Sequence, residues 1–162
     1  MNRLDRYKPW FYAAALYNAL WGAFVVLFPN AYFTILKMPQ PNYPSLWQAI
    51  GMMVGVYAYG YWLIARDPVR YGQFVYIGLF GKLFGPIGFL IAALQGTLPW
   101  SFGWVNVTND LIWLPAFIAF AFELDLLAVT DTRRNLDVDR LAASGLELDG
   151  LAVNSRDEVE GG

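Results

Sequence analysis

The chain contains no cysteine and no histidine among its 162 residues. Without cysteine there is no disulfide, no thiolate nucleophile and no thiol that could reduce a peroxide. The same absences exclude the Cys/His zinc sites and a His-ligated haem. No Ser-His-Asp arrangement can form either. We therefore expect a protein that is not an enzyme, with no catalytic residue, no metal ligand and no cofactor.

Charged residues are also scarce. They make up 15% of the chain, whereas a soluble domain has about 25%. Hydrophobic residues make up 57% and aromatic residues 18%, which is typical of a protein that lies in a bilayer with aromatic rings at both interfaces. The net charge is −2, and the acidic excess lies after residue 130. This charge pattern gives no support to nucleic-acid binding.

Four long apolar runs, separated by proline-rich or polar connections, predict the fold class: an all-α integral membrane four-helix bundle. Each run has about the 20 residues that a helix needs to span the hydrocarbon layer. The predicted transmembrane domain covers residues 1–129, and an acidic tail that we predict to be disordered covers residues 130–162. The predicted spans are residues 10–28, 46–65, 72–95 and 106–127.

Lysine and arginine are unevenly distributed between the two sides of this bundle. The N-terminal segment, the connection between the second and third runs and the start of the tail all carry them, whereas the other side has only Lys37. The positive-inside rule then places both termini in the cytoplasm. We expect a multi-pass protein of the bacterial cytoplasmic (inner) membrane, with membrane lipid as its immediate partner.

Lys82 is the most costly residue to place, because it lies near the middle of the third apolar run. A lysine at that depth costs at least ~2.5–3.5 kcal/mol. Pro86, four residues on, has no N–H and leaves the Lys82 carbonyl without its helical partner. Lys82 should therefore face the bundle interior. Asp110, about one turn inside the fourth run, is its predicted counter-charge.

Further polar and aromatic residues are predicted at the depth of Lys82 or near it. They form either a buried polar network that fixes helix packing or a site for a ligand or a proton, and both interpretations stay open here. The predicted set is Asn18, Trp21, Gln48, Lys82, Asn109, Asp110 and Trp113. The tryptophans and tyrosines near the span ends, including Trp47 and Tyr61, are predicted to anchor the bundle at the interfaces, with stacking against a ligand as the alternative.

Small residues form stripes on the second and third runs. Such stripes let helix backbones approach closely in lipid. They predict helix packing, either within one bundle or between two copies in a homodimer. The predicted packing residues are Gly51, Gly55, Gly78, Gly81, Gly85, Gly88 and Pro86.

The acidic tail contains a repeated pattern of leucines and acids, at residues 136–141 and 146–151. Its low hydrophobicity predicts disorder. A second interpretation is a short docking segment for a cytoplasmic protein partner.

Several of these motifs together resemble a group of small bacterial four-helix membrane proteins of unknown function, some of which carry the label alkyl hydroperoxide reductase. The layout is more loosely similar to DoxX-like and emopamil-binding-type membrane proteins, which would imply a redox-accessory role or a sterol-type ligand. The peroxidase label requires a cysteine, which this chain lacks. The motifs are Tyr17-Asn18-Ala-Leu-Trp21-Gly22, Pro41-Asn42-Tyr43-Pro44, Gly51 to Trp62, Gly81-Lys82-Leu-Phe-Gly85-Pro86 and Asn109-Asp110-Leu-Ile-Trp113.

Three functions fit the sequence. The first is a non-enzymatic membrane protein whose polar intramembrane cavity binds a small amphipathic or anionic ligand of the lipid or quinone type. The second is a structural or accessory subunit of a membrane complex. The third is a small proton- or ion-coupled transporter that acts as an oligomer.

Overall fold

The computed structural model describes the backbone of residues 3–160 and the side chains of residues 3–142. Within these residues every regular element is helical, which confirms the predicted all-α class. A 3₁₀ turn at Arg3–Tyr7, another at Trp100–Phe102 and a π-helical turn at Val107–Leu111 accompany the α-helices. The helices are α1 (Lys8–Leu27), α2 (Ala31–Ile35), α3 (Pro44–Arg66), α4 (Pro68–Tyr71), α5 (Phe74–Leu94), α6 (Gly103–Asn106) and α7 (Leu114–Glu160).

Three helical segments are long and apolar enough to cross a membrane. They are Arg3–Leu27, Phe74–Leu94 and Trp100–Ala142. Helix α3 has the necessary length, 23 residues, but its tyrosines, its glycines and Gln48 lower its mean hydropathy. It is not among the three segments found in the described part of the chain.

Prolines and one glycine set several helix boundaries. Pro9, Pro44 and Pro68 lie in the first turns of α1, α3 and α4, where a missing N–H costs no helical hydrogen bond. Gly96 follows the end of α5 with φ +71, a left-handed conformation that glycine adopts without steric penalty. These signals are visible in the sequence, and α1, α3 and α5 begin and end within two residues of the predicted runs.

The fourth predicted run, residues 106–127, is not one continuous α-helix. The N–H of Ile112 donates to the carbonyl of Val107 at 3.2 Å, five residues back, so the chain forms a π-helical turn at Val107–Leu111. Pro115 has no N–H to bond to the carbonyl four residues before it. The regular α-helix therefore starts again only at Leu114.

Helices α1 and α3 pack against each other along their length, whereas α3 and α5 touch much less. Gly22 makes the close approach on α1. A Cβ at this position would lie 2.6 Å from the carbonyl oxygen of Gly51 and 3.0 Å from the backbone nitrogen of Gly55. The tight α1–α3 pair and the loose α3–α5 pair leave a gap between α3 and α5.

An aromatic cluster closes one end of the fold, which we call the Trp47 end. Trp47 is buried at its centre, and the rings of Trp21, Tyr32, Phe33 and Phe102 lie within 6.0 Å of it, centroid to centroid. The prediction that Trp47 anchors the interface is wrong, because α2 and the Trp100–Phe102 turn fold over its ring and cover it.

The opposite end, the Arg6 end, is held by the Arg3–Tyr7 turn. Tyr7 is buried, and its ring meets that of Phe120 edge-on at 5.5 Å. Arg6 forms an ion pair with Glu123 of α7. The Arg3–Tyr7 turn is thereby held against α7 by a charge-assisted contact.

The chain divides into two units, Met1–Leu124 and Asp125–Gly162. In the second unit helical backbone continues to Glu160, and the predicted disorder of residues 130–162 stays a prediction. No proline interrupts the sequence after Pro115, and leucine, alanine, arginine and glutamate favour helix. Residues 130–142 are exposed. The predicted docking role of the tail depends largely on side chains after residue 142, which lie outside the described ones.

Candidate functional site: a cavity beside Lys82

Lys82 lies in the interior of the protein, as predicted, and is 3% exposed. Its Nζ donates to the backbone carbonyl of Asn109 at 2.6 Å and lies 3.9 Å from Oδ1 of Asp110. Both partners come from the π-helical turn. The ammonium group is thus neutralised by one carboxylate and solvated by one carbonyl, as a charge in an apolar interior requires.

The π-helical turn explains why the Asn109 carbonyl is available. In a regular α-helix it would accept the N–H of Trp113, four residues on. The N–H of Trp113 donates instead to the carbonyl of Asp110 at 3.1 Å. Because the turn redirects this bond, the Asn109 carbonyl can accept from Lys82. Such π-bulges occur often at functional sites.

Two aromatic rings, which sequence reasoning missed, complete the surroundings of the ammonium group. The Nζ of Lys82 lies 5.6 Å from the ring centroid of Tyr61 and 5.5 Å from that of Phe117, within the range of cation–π attraction. Gly78 makes room for both rings, since a Cβ there would lie 2.8 Å from the Tyr61 ring. Tyr61 is therefore not the predicted interface anchor.

A spacing in the sequence could have indicated Phe117. It follows Asp110 by seven residues and Trp113 by four, so a helical pattern would place it on the same face. Tyr61 follows the buried Val54 by seven residues in the same way. The composition near the span ends suggested interface anchors instead.

Asp110 is packed against α5 at a glycine. It is buried, and an added Cβ at Gly85 would lie 3.1 Å from its Oδ2. Its Oδ1 accepts a hydrogen bond from Nδ2 of Asn109 at 3.4 Å. A larger residue than glycine at position 85 would push the carboxylate away from this position.

Asn18 of α1 lines the same cavity and is 2% exposed. Within the described residues, its Oδ1 has no hydrogen-bond partner, and neither has Oδ1 of Asn109. A buried polar atom without a partner costs roughly 1–3 kcal/mol. Asn106, which sequence reasoning did not single out, is also buried with an unpaired Nδ2. Polar capacity therefore remains unused beside the Lys82–Asp110 pair.

The cavity has a volume of about 530 Å³, within the usual range of small-ligand sites. It lies largely between α3 and α5, in the gap left by their loose packing, and is partly open at the surface. Its walls are mostly apolar and aromatic. They include Trp21, Phe33, Trp47, Tyr57, Tyr61 and Phe102, with Asn18, Lys82, Asn109 and Asp110 as the polar lining.

Two predicted members of the network lie outside this cavity. Trp113 is buried, but its Nε1 donates to the Thr108 carbonyl at 3.0 Å, so it supports the π-helical turn. Gln48 donates from Nε2 to the Val26 carbonyl at 2.8 Å and ties α3 to α1. Both side chains donate hydrogen bonds to backbone carbonyls. The position of a residue on a helix face does not predict such bonds. Trp21 does line the cavity.

The predicted glycine packing residues divide into three groups. Gly51 and Gly78 lie against other residues, where an added Cβ would come within 3 Å of a neighbouring atom. Gly81 and Gly85 line the cavity, with Pro86 just beyond them in the uninterrupted helix α5. At Gly55 and Gly88 an added Cβ would meet no atom within 4 Å. The glycines of α5 therefore border open space more often than they pack against another helix.

Metal-binding geometry is not found in the described residues. Among their side chains, no three carboxylates or other strong ligands lie close enough together to hold an ion. The site has instead one ammonium, one carboxylate and several amides around an apolar cavity.

No protein-family model, no curated protein and no solved structure matches this chain. The resemblance to small bacterial four-helix membrane proteins therefore stays a prediction. The function is inferred from the geometry of the cavity alone.

Proposed function

We propose that this protein binds a small amphipathic, lipid-soluble ligand in the cavity beside Lys82, and that the ligand enters sideways from the bilayer between α3 and α5. The supporting observation is the unpaired side-chain oxygen of Asn18, a residue that lines an apolar cavity next to the buried Lys82–Asp110 pair. Ligand sites typically have apolar walls and a few converging polar groups.

The membrane arrangement proposed with it has four spans. Helix α3 crosses the bilayer as well, since its 23 residues extend about 34 Å and it packs along α1. Tyr57 and Tyr61 then face the cavity and Gly51 faces α1, whereas Tyr59 faces lipid. With four crossings both termini lie on the same side, and the lysines and arginines near them favour the cytoplasmic side of the inner membrane.

Lateral access follows from the loose α3–α5 contact. Ile50 and Met53 of α3 line the cavity and are also exposed at the surface. In a membrane their outer sides meet lipid chains. A ligand dissolved in the bilayer can therefore reach the cavity without crossing water.

The competing interpretation is a polar network that only fixes the packing of the helices. Such a network would be expected to satisfy its own members, because partly satisfied buried networks are costly. The unpaired Asn18 and Asn109 oxygens favour a ligand as the missing partner.

The test is to fill the cavity without disturbing the fold. Gly81→Leu places a side chain into the cavity from a position where the atoms nearest to a Cβ belong to the Tyr57 side chain, at 3.7 Å, an ordinary van der Waals distance. Gly88→Leu on the same helix points into open space and is the matched control. Native mass spectrometry of protein extracted with its own lipids should find a bound molecule in wild type and Gly88→Leu, and none in Gly81→Leu. Equal retention in all three would contradict the proposal.

A further inference from the structure

We propose, building on the proposed function, that the ligand is a neutral hydroxyl-bearing amphiphile with a hydrocarbon chain, rather than an anion. Its hydroxyl lies among Asn18, Lys82 and Asn109, and its chain runs along α3 and α5 toward the Arg6 end. Two observations carry this: the charge and hydrogen-bond balance of the polar wall, and a second cavity that continues the first.

The charge balance disfavours an anionic headgroup. The ammonium of Lys82 already has a carboxylate within 3.9 Å and a carbonyl at 2.6 Å. A ligand carboxylate or phosphate would bring a second negative charge beside Asp110 into an apolar interior, where like charges repel strongly. A neutral headgroup adds no such repulsion.

The hydrogen-bonding capacity left over suits a hydroxyl. Nδ2 of Asn109 donates to Asp110, which fixes its amide and leaves Oδ1 as an acceptor without a partner. Lys82 has three N–H donors, more than its two partners use. A hydroxyl both donates and accepts, so it can bond to an amide oxygen and to the ammonium together. A ketone or an ether can only accept.

The second cavity provides room for a chain. It has a volume of about 330 Å³ and shares Tyr57, Tyr61 and Gly78 with the first. Its other walls are almost entirely apolar, with Leu63 and Phe74 at its far end. From Trp47 to Leu63 the two cavities follow α3 for 16 residues, about 24 Å. A hydrocarbon chain fits this apolar continuation, and a second polar group does not.

The probes are para-octylphenol, its methyl ether and para-octylbenzoate, which share ring and chain and differ in the headgroup. Binding of radiolabelled para-octylphenol to the full chain in nanodiscs is measured with empty nanodiscs subtracted, and the other two compete as unlabelled compounds. The phenol should bind about tenfold more tightly than the ether, because the ether cannot donate a hydrogen bond and leaves the buried amide oxygen without a partner. The benzoate should also bind more weakly than the phenol, because its negative charge would lie beside Asp110.

Variants locate both ends of the ligand. Asn18→Leu removes one of the two unpaired amide oxygens and should lower the preference for phenol over ether, whereas Asn42→Leu in the exposed loop should leave it unchanged. Gly60→Phe fills the second cavity from a position where a Cβ meets no atom within 4 Å. Gly60→Phe should weaken the binding of para-octylphenol but not that of the short-chain para-ethylphenol. Gly88→Phe should change the binding of neither compound.

The possible failures separate the two proposals. Tighter binding of the benzoate or of the ether than of the phenol overturns the hydroxyl class. The same conclusion follows if no probe binds while Gly81→Leu still removes the co-extracted molecule. If no probe binds and Gly81→Leu retains the same molecules as wild type, ligand binding itself is overturned.

Discussion

At the scale of single residues, the interior charge of Lys82 is made tolerable by three kinds of neighbour. A carboxylate supplies the opposite charge, a backbone carbonyl supplies a short hydrogen bond, and the rings of Tyr61 and Phe117 supply their negative faces. Each contribution is modest in water and larger in an apolar interior. The site is therefore a coupled unit.

Lys82→Met should show this coupling in the free energy of unfolding. The substitution leaves the buried Asp110 carboxylate without its counter-charge, and breaking a buried pair costs about 3–5 kcal/mol. The double variant Lys82→Met/Asp110→Asn removes both charges and should regain most of that loss. Denaturant unfolding of the purified protein in detergent measures it, with Lys37→Met at an exposed position as the control. A double variant no more stable than Lys82→Met would show that the two charges are not coupled.

Residue depth in the apolar runs predicted part of this site. Counting positions placed Lys82, Asn18 and Asp110 near one another, and the structure brings all three to one cavity. The same counting could not predict that the partner of Lys82 is a backbone carbonyl, because that depends on a π-helical turn. Nor could it separate the buried Trp47 and Tyr61 from the exposed Trp100 and Trp104.

At the scale of helices, glycine has two opposite uses in this fold. Gly22 and Gly51 bring α1 and α3 into close contact, whereas Gly81 and Gly85 leave room beside α5. The pattern G-x-x-x-G is the same in α3 and α5. Only the neighbouring helix decides whether the small residue packs against backbone or borders a cavity.

Gly22→Ala should therefore be more harmful than Gly88→Ala. The new methyl at position 22 would lie 2.6 Å from the Gly51 carbonyl oxygen, and both helix backbones would have to separate, at a cost of about 1–3 kcal/mol. At position 88 alanine meets no atom within 4 Å and should stabilise the helix by roughly 0.5–1 kcal/mol. Thermal unfolding of the two variants side by side measures this difference. Equal effects would contradict the close α1–α3 contact.

The helix boundaries were more predictable than the helix partners. Apolar runs bounded by Pro9, Pro44 and Gly96 fixed α1, α3 and α5 within two residues. The break before Leu114 was not predicted as a change of helix type, because Pro115 indicates only a lost hydrogen bond. Helical backbone continues after residue 130 to Glu160, where leucine, alanine and arginine favour helix; low hydrophobicity by itself predicts disorder there.

At the scale of the whole molecule, the number of crossings depends on α3. With α3 in the membrane the two chain ends lie on the same side. If only the three most apolar segments crossed, the ends would lie on opposite sides. To decide between four and three crossings, it is enough to find on which side of the membrane one exposed residue of the tail lies.

The absence of cysteine makes this topology easy to measure. Asn42→Cys and Asp131→Cys each introduce a single thiol at an exposed position. In intact cells a membrane-impermeant maleimide should label Asn42→Cys at once, and Asp131→Cys only after permeabilisation. Labelling of Asp131→Cys in intact cells would contradict four crossings with a cytoplasmic C-terminus.

The central claim, a selective ligand in the α3–α5 cavity, is tested most directly by two adjacent methionines. Met52 and Met53 are similarly exposed, at 58% and 60%, but only Met53 lines the cavity beside Lys82. Photo-methionine incorporated in cells and activated in native membranes labels whatever each side chain touches, and peptide mass spectrometry separates the two sites. We predict one dominant adduct at Met53 and a mixture of bulk phospholipids at Met52. The same bulk mixture at both positions would contradict the account.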